Sequence, residues 1–211
     1  FIATSLAILF TFAIIYLITV RLFNVDFIKD SFGLLRESFI QANNLSEQVN
    51  GQVVIPKDQL DLTLNMLNAI IPASITISVA LFALVIISIN LPLLKRFKII
   101  VPKFSQFKSM RLPKAVLWYY LIVLIVTIFV NPEVGTPLYV ITLNFSLVLW
   151  ILLTLQGVSF LYFLIDEKEL PKFLKVLTAF FSIPFYSIIL LVGVFDLGFN
   201  IRQMIVGKKD K

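Results

Sequence analysis

Between residues 138 and 165 the chain runs for 28 positions without one charged side chain. As a helix this stretch is about 42 Å long, which exceeds the roughly 30 Å hydrocarbon core of a bilayer. Four more apolar segments lie at residues 1–20, 69–94, 115–130 and 173–195. Only 14% of the 211 residues are charged and 59% are hydrophobic, whereas soluble domains carry roughly 25% charge. Segments of this length and composition read as membrane-spanning helices. The expected fold is therefore all-α, a polytopic transmembrane bundle with about five spans, forming a single membrane domain over residues 1–211. Its localisation would be a membrane, multi-pass. The chain begins at Phe1 inside an apolar segment, which points to a portion of a longer polytopic protein.

The loops carry opposite charge. Residues 21–68 hold four bases and six acids, whereas the connector at 95–114 holds Lys95, Arg96, Lys98, Lys103, Lys108, Arg111 and Lys114 with no acid. The positive-inside bias places this basic connector in the cytoplasm and the acidic region outside. Within the acidic region, Ile28, Phe32, Leu35 and Phe39 recur at helical spacing, giving an extracytoplasmic amphipathic insertion that lies on the membrane surface or caps the bundle. Strict alternation through five spans then puts the tail outside, although Arg202, Lys208, Lys209 and Lys211 favour the inside. Either the tail signal is overruled, or the long fourth segment, broken near Gly157, hides an extra crossing or a re-entrant element.

Composition narrows the chemistry. The chain has no Cys and no His, which removes thiol nucleophiles, imidazole bases and the usual zinc sites. No metalloprotease, phosphate-loop or nucleophile-elbow motif is present, and the expectation is a protein without enzymatic activity, cofactor or bound metal. Asp166, Glu167 and Glu169 lie among Lys168, Lys172 and Lys175 and read as a hydrated turn. The basic connector beside two spans fits anionic lipid head groups or a protein partner, through Lys95, Arg96, Lys98, Lys103, Lys108 and Arg111, and nucleic acid is not expected. Polar residues within apolar surroundings need partners. Asn65, Asn68, Asn144 and Gln156 are the candidate lining of a small-solute cavity or, alternatively, interhelical packing contacts.

The run FFSIPFYSIILLVGVFDLGFNIRQMI carries one acid, Asp196, six residues before one base, Arg202. A spacing of six does not bring two side chains together on an ideal helix. A break at Gly198 would let them pair, and Asp196, Asn200 and Arg202 are taken as a structural polar network.

Three segments carry a family resemblance: FKSMRLPKAVLW at 107–118, LQGVSFLYFLI at 155–165 and GVFDLGFNIRQMI at 193–205. In this order they resemble the YybS-type bacterial membrane proteins, a family of unknown function with additional N-terminal spans. Arg111, Pro113, Trp118, Gln156, Gly157, Asp196 and Arg202 match its pattern. That family is similar to the substrate-binding membrane subunits of energy-coupling-factor transporters. The resemblance thus implies an all-helical fold and a small-solute-binding or uptake role. A membrane scaffold or regulatory partner acting through the basic loop is the alternative.

Overall fold

The computed structural model describes residues 2–50, 56–98 and 106–206. Among these residues every extended element is helical: α1 (Ile2–Leu22), α2 (Phe27–Asn50), α3 (Lys57–Ala69), α4 (Ile71–Arg96), α5 (Ala115–Ile125), α6 (Pro137–Glu167), α7 (Phe173–Phe181), α8 (Tyr186–Phe199) and α9 (Ile201–Val206). A 3₁₀ turn at Phe107–Ser109 precedes α5. The chain packs as two compact units, Phe1–Val101 with Glu133–Asn144 and Pro102–Pro132 with Phe145–Lys211. Helix α6 gives its first turns to one unit and the remainder to the other.

Three helices are long and apolar enough to cross a membrane: Thr4–Leu22 within α1, α4 and α6. The pair α7 and α8 passes the same test only together and is bent by 111°, so the number of apolar spans is three, or four if the pair is one. The all-α polytopic fold agrees with the sequence reading, and the count of five does not. Segment 115–130 is a shorter apolar helix. Segment 173–195 is interrupted at residues 182–185, where Pro184 has no N–H to donate and Phe185 leaves helical geometry (φ −106°, ψ 28°).

In the first unit α1 packs on α4 and α2 packs on α3. Asp26 caps the start of α2, its side chain accepting the Lys29 N–H at 3.1 Å. Helices α3 and α4 meet at a break around Ile70, with Pro72 in the first turn of α4. Such a break leaves backbone groups without helical partners. Asn144 satisfies two of them, accepting from the Ala73 N–H and donating to the Ala69 carbonyl, each at 2.6 Å.

In the second unit Val116 of α5, Leu149 and Leu153 of α6, and Leu190 and Leu197 of α8 form the apolar centre. Helix α6 is continuous through Gly157, so of the alternatives for this long segment the break at that glycine is not the one adopted. The glycine serves close approach instead. A Cβ on Gly157 would stand 2.0 Å from the Ile189 carbonyl oxygen, and one on Gly193 would stand 2.2 Å from that of Leu153. Two facing glycines let α6 and α8 touch backbone to backbone. Helix α5 ends in a wider turn, Val126–Val130, closed by the Asn131 N–H on the Val126 carbonyl at 3.2 Å.

Candidate functional site

The three sequence segments singled out above converge within the second unit. Gln156 and Ser159 are three residues apart on one face of α6, and both are fully buried. The Gln156 Oε1 accepts the Leu112 N–H at 2.9 Å, while its Nε2 donates to Asp196 Oδ2 at 2.6 Å. Arg202 donates from Nε to the same Asp196 oxygen at 3.0 Å. Its Nη1 donates to the Lys108 carbonyl at 2.6 Å and its Nη2 to Ser159 Oγ at 3.2 Å. Ser159 Oγ lies 2.8 Å from the Phe107 carbonyl and 3.0 Å from that of Met110, so its one proton serves either. The rings of Phe160 and Phe163 flank the guanidinium, with their centroids 5.7 and 5.5 Å from its central carbon.

Asp196 and Arg202 meet because the chain turns between them. The residue that turns is Asn200, which holds a left-handed conformation (φ 52°, ψ 41°) at the end of α8, and not Gly198, which stays helical. Asn tolerates this conformation through local hydrogen bonding. The Asn200 side chain accepts a hydrogen bond from Arg111 and not from Arg202. Burial pulls the Arg202 guanidinium below its ordinary range, and the Asp196 carboxylate acts against that shift. Asp196 Oδ1 is buried with no hydrogen-bond partner among the described residues. The arrangement neutralises one buried charge with another and anchors the end of the basic connector to α6, α8 and α9. Ser159 was not singled out from the sequence, although its i+3 spacing from Gln156 was a signal that it shares the same helix face.

The first unit holds a different kind of site, an open cavity of about 1070 Å³. Its charged wall includes Asp26, Lys29, Arg36 and Asp61, and Asn65 and Asn68 also line it. Arg36 pairs with Asp61 at 2.9 Å across the α2–α3 hairpin. The Tyr16 hydroxyl donates to Asp26 at 3.0 Å. Asp26 is held below the usual carboxylate range, first by the Lys29 N–H and also by Tyr16, against some desolvation.

Of the four residues selected as cavity lining, the structure therefore brings Asn65 and Asn68 together. It places Asn144 at the α3–α4 break and Gln156 in the buried network. Lys95, Arg96 and Lys98 are exposed at and just beyond the end of α4. Lys108 and Arg111 belong to the clamped stretch before α5, and Lys103 lies outside the described residues.

Apolar helices of membrane-crossing length, joined by charged surface elements and a buried ion-pair network, define a polytopic helical membrane protein. The chain belongs to the family described as predicted membrane protein (DUF2232), whose model matches residues 1–197. It is similar to the uncharacterized protein YybS of Bacillus subtilis (strain 168), with 27% identity over 195 residues, covering 90% of this chain and 63% of that protein. The chain thus spans a little under two thirds of that relative's length. No solved structure matches it. It is a multi-pass integral membrane protein of bacterial cell-membrane type. Neither match links it to energy-coupling-factor subunits.

Proposed function

We propose that the chain is a non-catalytic membrane component that binds a small polar solute in the cavity of its first unit, as part of a binding or uptake system of the kind that energy-coupling-factor subunits serve. The observation that carries this reading is the cavity itself. Its volume of about 1070 Å³ is lined by carboxylates, cations and the Asn65 and Asn68 amides, and ligand sites are concave surfaces with a few convergent polar groups on an apolar background. Both signs of charge on one wall favour a zwitterionic or hydrogen-bonding solute. The α2–α3 hairpin is acid-rich, and the charge bias of the loops assigns it to the outer face. Native mass spectrometry of small molecules retained by the full chain, followed by thermal titration of each one found, tests the reading. A retained solute whose stabilisation is lost in Asn65→Ala and Asn68→Ala supports it. Retention unaffected by both substitutions overturns it.

A second reading has its own observation. Lys95, Arg96 and Lys98 are exposed, in keeping with a scaffold or regulatory role in which the basic connector recruits a protein partner. Changing these three residues to Gln and comparing affinity purifications from native membranes tests it. A partner lost from the variant supports the role, and an unchanged set of partners removes it.

A further inference from the structure

Away from the first-unit cavity, the end of α6 in the second unit gathers a surplus of positive charge. Two cavities adjoin there and share Lys108 and Asp166. One, of about 400 Å³, also has Ser109, Arg111, Phe163, Glu167 and Arg202 on its wall. The other, of about 680 Å³, has Gln106, Phe107, Tyr162, Lys172 and Lys175. Asp166 stands between two ammonium groups. Lys108 Nζ is 2.9 Å from Oδ2, and Lys175 Nζ binds Oδ1. A single carboxylate balances one of the two charges. Lys172 lines the same cavity, and Arg111 directs its guanidinium to the neutral amide of Asn200. Setting aside the Arg202–Asp196 pair, four bases face two acids.

The walls match a particular kind of anion. Phe107 and Tyr162 pack edge to face with centroids 5.4 Å apart, and Lys175 Nζ lies 5.9 Å from the Tyr162 ring centroid. Aromatic rings beside cations at the end of a membrane-crossing helix are features of a headgroup layer. On the adjoining helix α7, Phe173 and Val176 are 62% and 72% exposed. Apolar surface directly beside a cationic cavity fits a molecule with a charged head and hydrocarbon tails. Lysine ammoniums bind phosphate as point charges, and basic pockets between membrane helices hold anionic head groups.

We propose that Lys108, Lys172 and Lys175 form a binding site for a phosphate-bearing head group, with an anionic membrane phospholipid as the source that the flanking apolar surface favours. The test uses the full chain in mixed micelles of phosphatidylcholine with and without phosphatidylglycerol, reading retained lipid by native mass spectrometry. Lys172→Gln/Lys175→Gln should lose the preference for phosphatidylglycerol by about tenfold or more, as expected for two near-surface bases. Arg21→Gln, at the end of α1 in the first unit, should keep it. Lys172→Gln alone should show a partial loss and guards against a fold defect in the double variant, whose melting in pure phosphatidylcholine is recorded alongside. Parallel arms add glycerol 3-phosphate or inorganic phosphate without anionic lipid. Stabilisation by these salts that Lys172→Gln removes, without lipid preference, keeps the phosphate site and overturns the lipid source. Equal phosphatidylglycerol retention by wild type and both lysine variants, or no response in any arm, overturns the site.

Discussion

Removing the carboxylate of Asp196 leaves the Arg202 guanidinium and the Gln156 amide facing one another in a site where Asp196 itself is fully buried. Breaking a buried pair from one side costs about 3–5 kcal/mol, because the remaining charge is uncompensated. Asp196→Leu should therefore lower the yield and melting temperature of the detergent-solubilised chain sharply. Asp196→Asn retains an oxygen that both donors can reach and should cost clearly less. Asp196→Leu/Arg202→Met should recover part of the loss, as removing both partners of a buried pair does. Equal melting of Asp196→Leu and wild type would contradict this structural role. Asp26 offers a pH test. Its folded-state pKa is below the ordinary 3.8, so its stabilisation of the start of α2 is in place above that ordinary value and is lost as pH falls through the lower folded one. Amide exchange of Lys29 should show this acid loss in wild type and a flatter profile in Asp26→Asn; identical profiles would remove the capping charge from the account. At this scale the sequence made the Asp196–Arg202 pairing legible as a conditional on a break between them. It did not identify the break, because Gly198 and Asn200 are both suited to left-handed backbone and only packing decides which one adopts it.

The helices themselves were legible wherever apolar runs were long, and their ends were least legible where tertiary contacts override local preference. Gly157 is the clearest case. As a local signal it reads as a break, yet α6 passes through it because its missing Cβ admits the backbone of α8. Gly157→Ala and Gly193→Ala each place a methyl group within 2.2 Å of a backbone oxygen, which no side-chain rotation relieves. Overpacking of this kind costs about 1–3 kcal/mol or more, so each variant should melt below wild type. Gly33→Ala is the contrast, since nothing lies within 4 Å of its added Cβ in α2, and it should stabilise by up to about 1 kcal/mol through helix propensity. If all three alanines behaved alike, the close contact of α6 with α8 would be refuted. Asn144 carries the same lesson in the first unit. Its position in an apolar run announced that it needs partners, but the partners are backbone groups of a helix break some seventy residues away in sequence. No periodicity encodes that distance.

Contacts inside the second unit also bring particular helix ends together. Lys108, just before α5, pairs with Asp166 at the end of α6, so the start of α5 and the end of α6 lie together. If α6 crosses over its full length, a chain that starts α5 beside that end would traverse the same layer along Ala115–Val130, the shorter apolar helix, before entering α6. Those eleven helical residues and five of wider turn reach only about 24 Å, and a shortfall against the roughly 30 Å core is met by local thinning of the bilayer. Helix α7 starts beside the same end, where Lys175 reaches Asp166, and the chain is back there when Arg202 binds the Lys108 carbonyl. Between these two points Tyr186 packs against Trp150, with ring centroids 6.3 Å apart, more than four turns up α6 from Asp166. A bend of 111° is that of a broken span or a re-entrant loop, and a re-entrant pair would enter and leave by one face. The Gly157–Gly193 contact holds α8 against α6 below the bend, while Ile183 and Phe185 at the bend itself are exposed. A re-entrant pair would return the end of α8 to the face where α5 starts, the outcome that strict alternation through five spans denied. The sequence reading offered an irregularity in the fourth segment as one of two resolutions, whereas α6 is continuous and the interruption among the described residues falls in the fifth. With no Cys in the chain, single-cysteine variants read this topology directly. In sealed, oriented vesicles Ser109→Cys and Gln203→Cys should react with an impermeant maleimide from the same face and Val130→Cys from the other. If Gln203→Cys instead reacts from the Val130 face, α7 and α8 make a complete crossing and the re-entrant assignment fails.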